Sequence, residues 1–332
     1  MVSTLRLGVY VHSSYKKTSS KLLTCRMVQF VSSRYARESN HVTSDTSINL
    51  TINLTKGLCN QDLELYSLIA CYYIIGTIWM VPSLVIYVRA RILPEAWEAS
   101  LVKLSEVGKV VYTEYNEKSI DAPAVIVVEE PFTEPRIHLK GIVAGSLKGL
   151  LDYVDEVIKG IHDNLVDKVG YTYHERLFTY RLPNGEVINQ IQKVIEKLRK
   201  TSYTRRAQAI TWQPWKDLET EHPPCLQRIW FRVIDGKLVM HVHMRSNDAL
   251  KAAYMNMYAF TELQKYVASK VGAEVGYYLH IADSYHVYEK DWKWFNSFVE
   301  QIKSGYSRNR WRKTHEYLEM VSKLENIESK AL

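Results

Sequence analysis

Four cysteines in 332 residues are too few to staple a chain of this size, which excludes a disulfide scaffold. Glycine and proline are also sparse, at 14 and 9 residues. No Gly-rich phosphate loop, no internal repeat and no low-complexity tract interrupts the main body. Together with 46% hydrophobic and 24% charged residues, these absences exclude a wholly disordered, a collagen-like and a multi-pass membrane protein. What remains is ordinary globular usage, with enough chain to bury a sizeable core. The net charge of +7 permits an anionic partner without identifying one.

The two parts of the chain do not read alike, and we divide it into residues 1–79 and 80–332. Residues 1–79 hold 8 Lys/Arg against 4 Asp/Glu, and residues 80–332 hold 35 against 32. More than half of the excess charge therefore sits in the first quarter, with Cys25, Cys59 and Cys71. Up to about Thr55 the sequence is rich in Ser and Thr, poor in acids and without sustained periodicity. It reads as a poorly structured N-terminal extension. Three origins fit: a disordered basic tail, an organelle transit peptide, or sequence upstream of a true start at Met80. Leu68–Val88 carries no charge over a length that spans a bilayer, but Pro82, Gly76 and several tyrosines argue against a span. Its second part reads instead as a strand, with Val85, Tyr87 and Arg89 on one face and Ile86, Val88 and Ala90 on the other.

From Pro94 onward the periodicity is that of a mixed α/β domain. Helices are expected at Glu95–Val107, Gly145–Leu165, Glu186–Lys200, Asn247–Lys270, Lys290–Lys303 and Arg312–Lys323. Strands are expected at Val125–Glu129, Arg206–Trp212, Gln227–Ile234, Lys237–Met244 and Glu274–Tyr288. Asp235-Gly236 is the strongest short hairpin signal in the chain.

Cys225 is the only cysteine after residue 79. Pro223-Pro224 fix the backbone before it, and neither can donate a ladder hydrogen bond. A lone cysteine is more often a small buried hydrophobe than a nucleophile, but its context here is unusual. Arg205-Arg206 lies about 20 residues upstream, and Arg245-Ser246-Asn247-Asp248 follows the next hairpin. Adjacent guanidinium groups beside a Ser hydroxyl suit a phosphate, and a cationic cluster favours a thiolate. His241 and His243 alternate along a strand, with His280 and His286 downstream. A zinc site needs three or four converging ligands, so these read as half-exposed sheet residues and no metal is expected.

Several short segments stand together in one order. Gly170-Tyr171-Thr172-Tyr173, Gly185–Lys200, Thr204-Arg205-Arg206, Pro224-Cys225, Arg245-Ser246-Asn247-Asp248, Asn256 and Asp283-Ser284-Tyr285-His286-Val287-Tyr288 follow one another at consistent spacing. Residues 171–288 resemble thymidylate synthase of the flavin-independent, folate-reductive type, in a divergent archaeal-like branch. The resemblance implies a mixed sheet flanked by helices and a cytoplasmic homodimer with shared active sites. It implies that Cys225 attacks C6 of dUMP and that C5 takes the one-carbon unit of 5,10-methylenetetrahydrofolate, used as a co-substrate. By the same resemblance, Asn256 reads the uracil edge and Arg245 and Ser246 hold the 5′-phosphate. Arg205 and Arg206 reach that phosphate from a partner subunit, and His286 and Tyr288 hold the 3′-hydroxyl. Asp248 hydrogen-bonds the pterin or the ordered water near it, and Tyr173 assists removal of the C5 proton.

The departures from the family pattern are as informative. Met244 stands where the family has Gln. Ala252-Ala253-Tyr254-Met255 replaces a small-Pro-Phe segment. Gly160-Ile161-His162-Asp163 replaces the Trp-rich folate segment, placing His162 at the stacking position. The catalytic glutamate has no clear equivalent, and Glu129, Glu130 and Glu134 are candidates. Arg136 or Arg91 is a candidate for the missing phosphate-loop arginine. These losses leave a pyrimidine nucleotide hydroxymethylase as the competing enzyme reading, and a non-catalytic nucleotide- or RNA-binding relative as the reading from another class. The near-neutral main body does not require nucleic acid as a partner, and a membrane is not expected as one.

Overall fold

The computed structural model describes residues 22–26, 49–53, 84–143 and 146–331. The chain forms two units, Met1–Val81 and Pro82–Leu332. In the first, strands β1 (Leu22–Arg26) and β2 (Asn49–Asn53) pair antiparallel, where the sequence shows no strand periodicity. Met80 and most of the apolar run Leu68–Val88 lie outside the described residues. Among the described residues, no helix is long and apolar enough to cross a membrane.

The second unit is a mixed sheet with helices packed on one face. Its strands are β3 (Ile86–Ala90), β4 (Lys109–Tyr112), β5 (Lys118–Val128), β6 (Ala207–Ile210), β7 (Leu226–Ile234), β8 (Lys237–Asp248) and β9 (Glu274–Tyr288). The spatial order is β3-β5-β9-β8-β7-β6, with β4 pairing β5. β8 and β9 are parallel neighbours, whereas β7 and β8 form an antiparallel hairpin. At its turn Asp235 and Gly236 both have positive φ, 49° and 77°, as the hairpin signal requires. In β3 and the residue before it, Ile86, Val88 and Ala90 are buried and Val85, Tyr87 and Arg89 exposed, as the alternation predicts.

The helices are α1 (Leu93–Val107), α2 (Gly149–Lys159), α3 (Tyr173–Phe178), α4 (Gln190–Lys200), α5 (Ala253–Val271), α6 (Trp292–Lys303) and α7 (Thr314–Ala331). α1 starts with Pro94 in its first turn, where a missing N–H costs nothing. It buries Trp97, Leu101 and Leu104. α4 is capped by Asn189, whose side chain accepts from the Gln192 N–H at 2.8 Å, a standard N-cap bond. Of the apolar stripe that the sequence spacing predicts, Val187, Ile188, Ile191, Val194, Ile195 and Leu198, the last four are buried on this helix. Val187 and Ile188 fall outside it, in a two-residue strand paired with Tyr180–Arg181.

Two expected helices are shorter in the structure. The one expected over Gly145–Leu165 ends at Lys159, because Gly160 adopts a left-handed conformation at its C-cap. The one expected from Asn247 starts at Ala253, because Asn247 and Asp248 still belong to β8. α5 then runs through the centre of the core, burying thirteen of its nineteen residues. Its hydrophobic pattern is nearly all-round, which is the signature of an interior helix.

Among the described residues, the other face of the sheet carries no helix. Tyr87 is 62% exposed there and Ile210 39%, and they share that face with the half-exposed Trp230, His241, Tyr277 and Leu279. A one-residue bulge lies in β9 against β5, between Ala282 and Tyr285. Before it, Tyr278, His280 and Ala282 point into the helix-covered core. After it, Tyr285 and Val287 do so, and Ser284, His286 and Tyr288 line a cavity instead. A bulge changes which parity faces inward.

Candidate active site

The cavity measures about 510 Å³ and opens at the ends of β8 and β9. It is lined by Tyr173, Cys225, Arg245, Ser246, Asp248, Asn256, His286 and Tyr288. Eight of the residues singled out in the sequence thus converge from five separate segments. The parallel pairing of β8 with β9 explains part of this convergence, since Ser246 lies opposite Ser284 and Asp248 opposite His286. A larger hollow of about 760 Å³ lies on the uncovered face of the sheet. No cysteine lines it, and its Arg89, Glu129 and Glu130 are engaged in surface ion pairs, so the smaller cavity is the candidate site.

Cys225 enters β7 directly after the two prolines, and Arg245 braces that approach. Its Nη2 donates to the Pro223 carbonyl at 2.7 Å and its Nε to the Pro224 carbonyl at 3.1 Å. The Arg245 N–H donates to the Cys225 carbonyl at 2.8 Å. Burial pushes the Cys225 thiol above its usual range, and Arg245 opposes that rise. Of the arginines expected around the thiol, Arg245 is the one that lines the described cavity. Arg205 and Arg206 are exposed before β6 and do not line the cavity of their own chain. One guanidinium does not outweigh desolvation.

Asp248 ends β8 and turns the chain towards α5. Its Oδ1 accepts from the N–H groups of Leu250 and Lys251, at 3.0 and 2.8 Å. Burial raises its pKa. Asn256 sits in the first turn of α5, 5% exposed, and its Oδ1 accepts from the Tyr153 hydroxyl at 2.5 Å. Tyr173 opens α3, where the Thr172 side chain accepts from the Glu175 N–H at 3.0 Å. Burial holds Tyr173 well above the usual phenol range, so its hydroxyl stays protonated. Its neighbour Tyr171 meets it at a tilt, ring centres 5.8 Å apart, and rests against the Cys225 backbone. His286 meets Tyr288 edge to face at 4.7 Å, and Tyr288 is pushed up to about 12 by burial.

Several expected residues lie elsewhere. His162 does not line the cavity; the turn after Gly160 returns it to Glu156, 2.8 Å away. Glu129 and Glu130 pair with Arg89 and Arg91 at 2.6 and 2.7 Å. Glu134 accepts from Thr314, its Oγ1 at 2.6 Å. None of the three reaches the cavity. The acids that do, besides Asp248, are Glu114 and Asp121, and Asp121 accepts from the Ser284 hydroxyl. Arg136 is 4% exposed, bonded to Glu262 at 2.6 Å and stacked on Phe132. It serves the core, not a phosphate. Arg91 is spent on Glu130.

The histidines diverge. His241 meets Tyr277 and His243 meets Asp283, each at 2.9 Å. His280 is buried between the Tyr278 hydroxyl and Asn247 Oδ1, both at 2.8 Å. Among the described residues no group of three or more could hold a metal. Tyr153, Asp121 and Asn247 were not foreseen. Tyr153 follows Leu150 at helical spacing and reads as core, and its partner Asn256 lies 103 residues away.

A family model described as thymidylate synthase matches residues 129–328. A protein of Methanosarcina mazei, provisionally named thymidylate synthase, is 33% identical over 216 residues, covering 65% of this chain and 95% of the relative. A Methanocaldococcus jannaschii protein with the same provisional name is 35% identical over 212 residues, covering 62% and 92%. The thymidylate synthase of Listeria monocytogenes is 29% identical over 145 residues, covering 44% of each chain.

Proposed function

The chain belongs to the thymidylate synthase family, and from that premise we propose that it converts dUMP and 5,10-methylenetetrahydrofolate to dTMP and dihydrofolate. The observation that carries this reading is the convergence of Cys225, Asn256, Asp248, Arg245–Ser246 and His286 in one cavity. The Cys225 sulfur adds to C6 of the pyrimidine and makes C5 nucleophilic. C5 takes the methylene and loses its proton, the folate nitrogen leaves, and the exocyclic methylene receives a hydride from the tetrahydrofolate so formed as the sulfur leaves C6. Tyr173, held protonated by its burial, orients the group that accepts the C5 proton.

Asn256 meets N3–H with its carboxamide oxygen and O4 with its nitrogen, since a carboxamide both accepts and donates. Ser246 and the Arg245 guanidinium nitrogen not engaged with Pro223 and Pro224 take the 5′-phosphate. His286 and Tyr288 take the 3′-hydroxyl, and Asp248 hydrogen-bonds the pterin. The uncovered sheet face, with Tyr87, Trp230 and Leu279, suits a second copy of the chain. Arg205 and Arg206 would then serve the partner's phosphate in a cytoplasmic homodimer.

The test is incubation of purified protein with dUMP and methylenetetrahydrofolate. Formation of dTMP and dihydrofolate, lost in Cys225→Ala, supports the reading. Formation of 5-hydroxymethyl-dUMP with tetrahydrofolate supports the hydroxymethylase instead. That second reading is favoured by one observation: no tryptophan lines the cavity, and His162 lies outside it. Turnover equal in wild type and Cys225→Ala overturns both. Mixing Cys225→Ala protomers with Arg205→Ala/Arg206→Ala protomers tests the shared site, because hybrids regain activity only if the arginines act across the dimer.

A further inference from the structure

Tyr153 projects from α2 towards the cavity, and its hydroxyl makes one hydrogen bond among the described residues, to Asn256 Oδ1 at 2.5 Å. A carboxamide oxygen has two lone pairs. One is filled by this phenol, and the other remains for a base. We propose that Tyr153 is a specificity-determining positioning residue, whose hydroxyl locks the Asn256 carboxamide in the sense that reads uracil and rejects cytosine. The inference rests on the functional reading above, in which Asn256 meets the base.

Uracil offers a donor at N3 and an acceptor at O4, which an oxygen and a nitrogen in that order match. Cytosine offers an acceptor at N3 and a donor at N4, so the carboxamide must rotate by half a turn to meet it. Rotation brings Nδ2 against the Tyr153 oxygen, and the phenol proton loses its acceptor. The site is buried: Asn256 is 5% exposed, and burial holds the Tyr153 hydroxyl well above the usual phenol range, so it stays a donor. A buried donor left without a partner is penalised more than an exposed one. Without the phenol hydroxyl, the rotated and unrotated carboxamides become closer in energy. The backbone end of Asn256 is meanwhile fixed by the helix, its N–H donating to the Ala252 carbonyl at 2.9 Å. The side-chain torsion is thus the remaining freedom, and Tyr153 controls it.

The experiment measures dissociation constants for dUMP and dCMP by calorimetry, in wild type, Tyr153→Phe, Asn256→Ala and the double variant. Phenylalanine removes one oxygen and keeps the ring. The preference for dUMP over dCMP is expected to fall by about fivefold or more in Tyr153→Phe, the scale of one net hydrogen bond or larger. In the Asn256→Ala background the same substitution is expected to leave the ratio unchanged. A ratio in Tyr153→Phe equal to that of wild type overturns the role of Tyr153 while leaving the functional reading intact. An equal fall in the Asn256→Ala background also overturns it, since Tyr153 would then act through another group. Wild-type protein with no preference for dUMP overturns the functional reading itself, and this proposal with it.

Discussion

Asp217→Ala should destabilise the protein through a buried charge that does not line the cavity. Arg176, on α3, and Asp217, on a short helical turn, are each 1% exposed at the side chain. They form a two-pronged pair, Nη1 to Oδ2 at 2.7 Å and Nη2 to Oδ1 at 2.8 Å. Nη1 also donates to the Thr211 carbonyl at 2.8 Å, and the Gln213 N–H donates to Asp217 at 2.6 Å. Removing one partner of such a pair leaves a buried charge uncompensated, which costs about 3–5 kcal/mol. Glu175, whose carboxylate lies 3.1 Å from Arg176 Nε, remains as a second counter-charge. The expected loss therefore sits near 3 kcal/mol, the lower end of that range. For a unit of this size, this lowers the melting temperature by about 6–12 °C. Urea titration and thermal melting at fixed protein concentration measure it. Replacing both partners, as Arg176→Met/Asp217→Leu, should recover at least half of the loss, because apolar packing avoids the desolvation penalty. A loss under about 1 kcal/mol in Asp217→Ala, the value of an exposed pair, would refute the reasoning.

Alkylation of Cys225 by iodoacetamide should show a midpoint above that of a free thiol, because burial disfavours the thiolate. In Arg245→Met the midpoint should move further up, and a downward move would count against the geometry. Asp248→Asn keeps the oxygen that caps Leu250 and Lys251, so its stability should stay within about 0.5 kcal/mol of wild type while turnover falls. Asp248→Ala should lose about 1 kcal/mol besides, as a lost cap does. His280 is pushed down to about 3 by burial, so the unfolded chain takes up its proton first. Stability should rise with pH from about 3 to about 6.5 and level off above, by up to about 1.4 kcal/mol per unit. His280→Gln should flatten that slope in the pH dependence of unfolding, and an unchanged slope would count against it.

Much of the fold was legible because its signals are local. Asp235-Gly236 imposes its turn on whatever strands flank it, and the stripe of α4 needs only its own eleven residues. The site residues were legible for a different reason: their types and spacing resemble a known family. What was missed depends on contacts between distant segments. Glu129 and Glu130 look free in sequence, but the parallel pairing of β3 with β5 sets Arg89 and Arg91 beside them. Gly160 is one residue in an otherwise helical pattern, and its left-handed turn moves His162 away from the cavity. Tyr153 reads as an ordinary member of a helix, and only the packing of α2 on α5 makes it the partner of Asn256. The end of β8 was read as the start of a helix because Asn247 and Asp248 precede a continuous apolar run.

The bulge between Ala282 and Tyr285 acts on this strand as a reading frame acts on a message. Every side chain beyond it owes its destination to one extra residue. A substitution at Asp283 or Ser284 changes one side chain, but a deletion there would reassign Tyr285, His286, Val287 and Tyr288 together. Tyr285, whose hydroxyl meets Ser100 at 2.7 Å in the core, would be turned into the cavity, and His286 would be driven into the core. Drift in this stretch can therefore proceed through exchange of residues but not through loss of one. The length of the segment, more than its spelling, is what the site depends on.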